Sequence, residues 1–300
     1  MTRAFLPLLG LALLFSACIH VKHPRAMQTL RETILTELSP QQGTFAVAFK
    51  DLQTGEELLI QAHESFHAAS TMKTPVLVEA YHQAAQGKFS LQDSLLVKNE
   101  FRSIADGSSF RIDPADDSDT ALYTYIGQKR PLAELLYRMI ILSSNLATNL
   151  VIEQLDARNV TQTMRELGAR DLQVLRGVED TKAYRKGLNN TVTAYDLMLL
   201  FQHIARGQAV SEPASQEMIR ILLDQKFNEI IPARLPGAVK VAHKTGWITG
   251  LRHDSGIVFL PDGRKYVLVL LSKGLKDEQE GIAAMARVSE RIYQHMLQQK

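Results

Sequence analysis

Cysteine is nearly absent: the chain of 300 residues has one, Cys18. A single thiol excludes a disulfide framework within one chain, so stability must come from a buried core. An excess of one charge is also missing. Lys and Arg number 34 against 32 Asp and Glu, for a net charge of +2, and no long basic run occurs. That balance removes the electrostatic footprint of a nucleic-acid binder. The apolar run at residues 6–15 is too short to span a bilayer comfortably. No His-Glu-x-x-His pair is present, and the acidic stretch at 113–119 lacks the spacing of an EF-hand loop. His63, His67 and His82 therefore read as surface or packing residues, the 113–119 stretch as a solvated acidic loop, and no metal or organic cofactor is expected. No internal repeat or low-complexity segment is visible.

A short basic start, the apolar run, and Ser16-Ala17 before Cys18 have the form of a secretory leader. Phe15-Ser16-Ala17-Cys18 resembles a bacterial lipoprotein signal, which implies cleavage before Cys18 and a lipid on its thiol; ordinary cleavage near Ala17 is the alternative. The domain reading is a leader at 1–18, a tether at 19–26 and one domain at 27–300. The expected location is the periplasm or cell envelope of a bacterium, with membrane contact only through the lipid.

The body of the chain is α+β. Leu30, Ile34, Leu35 and Leu38 have helical spacing. Residues 44–49 and 57–61 flank a Gly-containing turn and predict a β-hairpin. A helical lobe is expected at about 70–208, interrupted by a structured loop over 99–130. Within it, Thr193 reads as an N-cap with Asp196 in the third helical position. Extended runs at 239–247, 256–260 and 265–271 follow, then an amphipathic helix over 277–299. Strands near both ends and helices between them suggest an antiparallel sheet under terminal helices, with the helical lobe inserted.

The chain is organised around Ser70-Thr71-Met72-Lys73 at the start of an apolar helix. The i,i+3 spacing puts both side chains on one face, and Pro75 suits only a first helical turn. A serine hydroxyl needs a partner to take its proton, and a partly buried lysine with a lowered pKa can do so. An N-cap serine beside a solvated lysine would show the same four residues. Two later stretches decide between these readings. Ser143-Ser144-Asn145 closes one helical segment, and Lys244-Thr245-Gly246 ends an extended run.

Ser-x-x-Lys, Ser-x-Asn and Lys-Thr-Gly in that order resemble the class A β-lactamases and penicillin-binding proteins, and the resemblance runs from about residue 27 to the C-terminus. It implies an α/β/α sandwich with the active site between sheet and helical lobe. Ser70 would be the nucleophile, Lys73 the base for acylation, and Ser143 the proton carrier to the leaving nitrogen. Asn145 would bind the substrate's amide side chain, Lys244 and Thr245 would meet its carboxylate, and Asn189 and Gly246 would also touch substrate. The oxyanion hole would be the backbone N–H groups of Ser70 and Trp247.

The Glu-x-x-Leu-Asn stretch that activates the hydrolytic water in class A enzymes matches residues 185–189 here, where Arg185 replaces the glutamate. Arginine is no base near neutral pH; Glu179 could supply the carboxylate if this loop takes a different path, the alternative being that Glu179 and Asp180 pair with local Arg or Lys side chains. The first function implied is a β-lactamase acting through a Ser70 acyl-enzyme. The second is a penicillin-binding or D-alanyl-peptidase-like amidase or esterase with slow deacylation. The third is a lipid-anchored binding protein without turnover. The substrate would be a β-lactam or D-alanyl-peptide-like molecule, and the protein a monomer.

Overall fold

A computed structural model describes residues 23–299. The leader, Cys18 and the first half of the tether lie outside the described residues. The rest of the proposed tether is already helical, because α1 spans His23–Leu38.

The central sheet takes its strands from both ends of the chain. β1 (Thr44–Asp51) and β2 (Glu57–Ile60) form the expected hairpin, with Val47 opposite Ile60. Short paired strands follow: β3 (Phe66–His67), β4 (Ser94–Leu96), β5 (Phe101–Arg102), β6 (Ser109–Phe110), β7 (Lys129–Pro131) and β8 (Thr191–Val192). β3 pairs with β8, β4 with β7, and β5 with β6. The three long strands come last: β9 (Lys240–Ile248), β10 (Leu251–Phe259) and β11 (Lys265–Lys273). The main sheet has the order β2-β1-β11-β10-β9, antiparallel throughout. It is therefore closed only by bringing the hairpin near the N-terminus beside the last strand.

Both faces of this sheet are covered, and the two-residue period of β11 shows how. Val267, Val269 and Leu271 join the core shared with the helical lobe, while Tyr266, Leu268 and Leu270 face the terminal helices. On the outer face α1 packs against α9 (Glu278–Gln298) through Leu30 and Ile34 on one side and Met285, Val288 and Ile292 on the other. On the inner face α7 (Ala194–Ala205) crosses β1, β10 and β11. Burying each large apolar side chain is worth roughly 1.5–3 kcal/mol, so these two layers can hold a fold that has no disulfide.

The lobe contains α2 (Lys73–Ala85), α3 (Leu132–Ile141), α4 (Asn145–Leu155), α5 (Ala157–Glu166), the short α6 (Thr181–Arg185), and α8 (Glu212–Leu223). Thr193 caps α7 as expected, its hydroxyl accepting from Asp196 N at 3.0 Å. The capping box does not close, however. The Asp196 carboxylate turns outward and accepts from the backbone of Asp171 and Leu172.

Two expectations need correction. The second of the three long strands begins at Leu251, not 256, after a tight turn at Gly250 with φ +73°. Its polar start, His253-Asp254-Ser255, is fully buried rather than looped out, because each side chain finds partners; Asp254, for example, accepts from His243 and from Ile231 N. The acidic stretch at 113–119 is also not simply solvated. Asp117 is buried and accepts from Asn145 N, Leu146 N, Asp119 N and the Tyr123 hydroxyl. Its negative charge sits on the N-terminal amides of α4, where the helix dipole favours it. Asp119 takes two hydrogen bonds from Arg138 Nη1, at 2.8 and 2.9 Å.

Candidate active site

A cleft of about 610 Å³ lies where β9, α4, the 116–118 loop and the segment before α6 converge on Ser70. Ser70 stands in a single 3-10 turn, Ala69–Met72, that runs directly into α2. Its backbone N–H belongs to the first turn, where no carbonyl lies one turn back to receive it. Gly246 of β9 packs against that turn. A Cβ at 246 would come within 3.0 Å of both Ser70 N and Thr71 N, so the Gly of Lys-Thr-Gly permits a close approach of strand to turn. The next residue, Trp247, lines the cleft, its indole edge-on to Phe227 with ring centroids 4.9 Å apart.

Lys73 is fully buried at the start of α2 and donates to three oxygens: Ser143 O at 2.7 Å, Asn145 Oδ1 at 2.9 Å and Ser143 Oγ at 3.2 Å. Burial disfavours its charge and brings the ammonium down to about 7, with the carboxylates of Asp117 and Glu179 acting in the opposite direction. Lys244 is equally buried and reaches the same hydroxyl, Ser143 Oγ, at 3.1 Å, and Thr245 O at 2.9 Å. Burial and the neighbouring Lys73 hold its pKa far below the ordinary lysine range. Ser143 Oγ thus faces a lysine on each side, and with both nitrogens donating its own proton is left to point elsewhere. Thr245 Oγ1 is buried without a hydrogen-bond partner among the described residues. Ser144 caps α4 through Ala147 N, a structural task.

Asp116, Glu179 and Asp180 line the cleft, and Glu179 is the carboxylate that meets the Asn145 side chain. It receives a hydrogen bond from Asn145 Nδ2 at 3.2 Å, so Asn145 joins Lys73 on one side to Glu179 on the other. Desolvation in the cleft wall, and then the nearby Asp116, raise the Glu179 pKa, against the opposing charges of Lys73 and Arg176. The position is built from a distance. Asn149, one turn after Asn145 on α4, grips the backbone of Val178 from both sides, accepting from its N–H at 2.7 Å and donating to its carbonyl at 3.0 Å. Gly177 lies so close under Asn149 that a Cβ there would collide with Asn149 Oδ1. Asp180 then caps α6 and accepts from Ser103 Oγ and Ile104 N, tying the β5–β6 ribbon to this segment. Because α6 starts at that cap, Arg185 falls at its far end, exposed, and does not line the cleft.

Asn189 is also turned away from the cleft: its Oδ1 accepts from Arg176 Nη2 at 3.2 Å. Asn190 lines the cleft in its stead, with its side chain bonded to the backbone of Leu175 and Arg176 and its carbonyl receiving Ala68 N. Sequence reasoning passed over two further residues. One is Asp117, which caps α4 from the loop. The other is His67, which lines the cleft two residues before the 3-10 turn carries Ser70. Backbone strain collects at the same place. Among the described residues five non-glycine positions have positive φ, and three of them adjoin the cleft: Ala69 at +44°, Ser143 at +56° and Glu179 at +61°. Such conformations persist where the surroundings over-determine them.

Residues 28–296 match the model of a beta-lactamase enzyme family. The chain belongs to that family. Among curated relatives it is similar to the beta-lactamase ROB-1 of Haemophilus influenzae, 24% identical over 263 residues, covering 86% of this chain and 81% of the relative. It is likewise similar to PBP-A, which has been solved alone and, as a mutant, in an acyl-enzyme complex with penicillin G. The two structures are 27% and 28% identical to this chain, with TM-scores of 0.77 and 0.78; they cover 92% and 90% of it and 97% of their own chains. A beta-lactamase from Sphaerobacter thermophilus shares the fold at a TM-score of 0.77, with 24% identity over 90% of this chain and 98% of that one. The fold and enzyme class read from the three motifs stand: this is a class A-like serine hydrolase.

Proposed function

We propose that the protein opens the β-lactam amide through an ester on Ser70 Oγ and releases the product by hydrolysis. The observation that carries this is the arrangement of two buried lysines about Ser143 Oγ, with Ser70 and Glu179 on the same cleft. In the forward step neutral Lys73 takes the Ser70 proton as Oγ attacks the lactam carbonyl. The oxyanion draws on the N–H groups of Ser70 and Trp247. Ser143 hands its proton to the departing nitrogen and is reprotonated from the lysines. Lys244 and Thr245 meet the substrate carboxylate, and the unpartnered Thr245 hydroxyl supports that assignment. Asn145 orients the acyl side chain and holds Glu179, which takes a proton from the water that cleaves the ester.

Intact-protein mass against time after mixing with a penicillin tests this reading. The expected result is an adduct that forms and disappears within seconds while product accumulates. The adduct's rate of formation should follow neutral Lys73, rising about tenfold per pH unit below about pH 7 and levelling off above it. The sign is fixed by the role: the base works deprotonated, and its pKa is lowered. A flat profile across pH 6–8 would remove Lys73 from the role of base.

One observation favours the second reading, that of a penicillin-binding protein with slow release. Identity to PBP-A is higher than to ROB-1, and Arg185 replaces the glutamate of the class A motif. On that reading the wild-type adduct persists for minutes or longer. A binding protein without turnover does not need two desolvated lysines at one serine hydroxyl, and their burial opposes it.

The remaining features of the proposal are export to the cell envelope, a monomeric protein, and a lipid on Cys18. Metabolic labelling with a fatty-acid analogue should mark the protein and be lost in Cys18→Ser; equal labelling of both would remove Cys18 as the anchor.

A further inference from the structure

The nucleophile's turn is held by a side chain that none of the three motifs contains. His67 ends β3, and its Nδ1 accepts the backbone N–H of Ala69 at 3.1 Å. Ala69 has φ +44°, a left-handed conformation that costs a residue with a Cβ. It is also the residue immediately before Ser70, so its backbone angles set the direction of both the Ser70 side chain and the Ser70 N–H. The imidazole bond closes this turn from outside. It also determines the ring's state: with Nδ1 accepting, the single proton of the neutral ring is on Nε2, and Nε2 is buried without a partner among the described residues. A protonated ring would turn a second N–H toward the Ala69 N–H and break the bond.

We propose that His67 is the positioning residue of the nucleophile: its neutral imidazole, through the Ala69 N–H···Nδ1 bond, holds the turn that aims Ser70 into the cleft, and protonation of that ring releases the turn.

Residues from several segments surround His67. Arg176, on the segment leading to Glu179, places a positive charge nearby. Tyr184 of α6 meets the imidazole at 72° with ring centroids 5.8 Å apart. His253 of β10 donates from Nε2 to the His67 carbonyl at 3.0 Å and is itself kept neutral by burial, its pKa pushed down to about 4. Thr191 of β8 pairs with His67 across the short ladder. Burial first, and then Arg176, lower the His67 pKa from the ordinary histidine value. Loss of the bond therefore belongs to the acid side, below the range in which Lys73 titrates.

The inference rests on the acyl-enzyme reading above, and the test separates the two. Acylation by a penicillin is followed by rapid-quench mass spectrometry from pH 4.5 to 8 for the wild type, His67→Asn and His67→Phe. An asparagine oxygen can accept from the N–H two residues on, as in an Asx turn, without titrating; phenylalanine keeps an aromatic ring and accepts nothing. In the wild type the logarithm of the acylation rate should fall with a slope of one below about pH 7, from Lys73, and steepen to two further down. His67→Asn should stay within about threefold of wild type at pH 7.5 and keep a slope of one throughout. His67→Phe should acylate at least about tenfold more slowly at pH 7.5 with its KM for the substrate little changed. A His67→Asn profile that steepens as the wild type does, or a His67→Phe chain that acylates at the wild-type rate, would overturn the proposal.

A second readout needs no substrate. Long-range 1H–15N correlation spectra of the wild type at pH 7.5, with His67 assigned by its disappearance in His67→Asn, should show the Nε2–H tautomer. An Nδ1–H tautomer would overturn the proposal. If the wild type forms no adduct at any pH, the acyl-enzyme reading fails and the spectrum still decides whether the bond exists.

Discussion

A Ser70→Ala chain should form no adduct with a penicillin and lose hydrolysis by a factor on the order of 10⁶, as expected when a serine nucleophile is removed. The change is the smallest available at this site. Ser70 is half-buried, its side chain has no hydrogen-bond partner among those described, and the turn that carries it is held by backbone groups and by His67. Removing one oxygen therefore leaves the two lysines, Ser143 and the cleft in place, so a loss of this size reports chemistry rather than collapse. Thermal unfolding within a few degrees of wild type is the accompanying check. A Ser70→Ala protein that still acquires the penicillin mass would move the nucleophile elsewhere, with Ser143 the first candidate.

Glu179→Gln separates the two half-reactions. Glutamine has the shape of glutamate and can accept the Asn145 Nδ2 hydrogen bond at 3.2 Å through its amide oxygen, but it cannot take a proton from water. Acylation should proceed at close to the wild-type rate because the proposed base for that step is Lys73. Release should slow by about 10²–10⁴, the usual worth of a positioned general base, so the acyl-enzyme accumulates to one adduct per chain. The measurement is the decay of the mass adduct after excess penicillin is removed. Unchanged decay in the variant would exclude Glu179 as the base and leave the hydrolytic step without an assigned carboxylate.

The legibility of these residues in the sequence follows from how each is positioned. Ser70 and Lys73 are separated by one helical turn, and Lys244 and Thr245 lie on one strand, so local spacing was enough to find them. The sheet was legible for a similar reason: alternating or continuous apolar runs mark β1, β9 and β11 directly. Glu179 is a different case. Its place depends on Asn149, thirty residues earlier, gripping the chain at Val178, and on Asp180 stopping the segment to start α6. None of that leaves a periodic trace: the Leu-Asn match led to Arg185 and Asn189, and Glu179 entered only as a carboxylate a few residues upstream. The polar start of β10 was illegible because its burial is satisfied by distant partners, and Asp117 because a run of Asp, Ser and Gly has the composition of a solvated loop. His67 read as an ordinary histidine because its significance lies in one bond to a backbone N–H two residues on.

Lys244 and Lys73 have a consequence for how the cleft meets other solutes. Burial lowers the pKa of both lysines, and Lys73 adds to the lowering of Lys244, so positive charge is held in the empty site at a cost. An anion that reached Lys244 would offset that cost and favour its ammonium form. Protonation of the site and occupancy by an anion are thereby linked. On the proposed roles of Lys244 and Thr245, such a cleft would favour an anion whose shape reaches both residues over the phosphate and chloride around it.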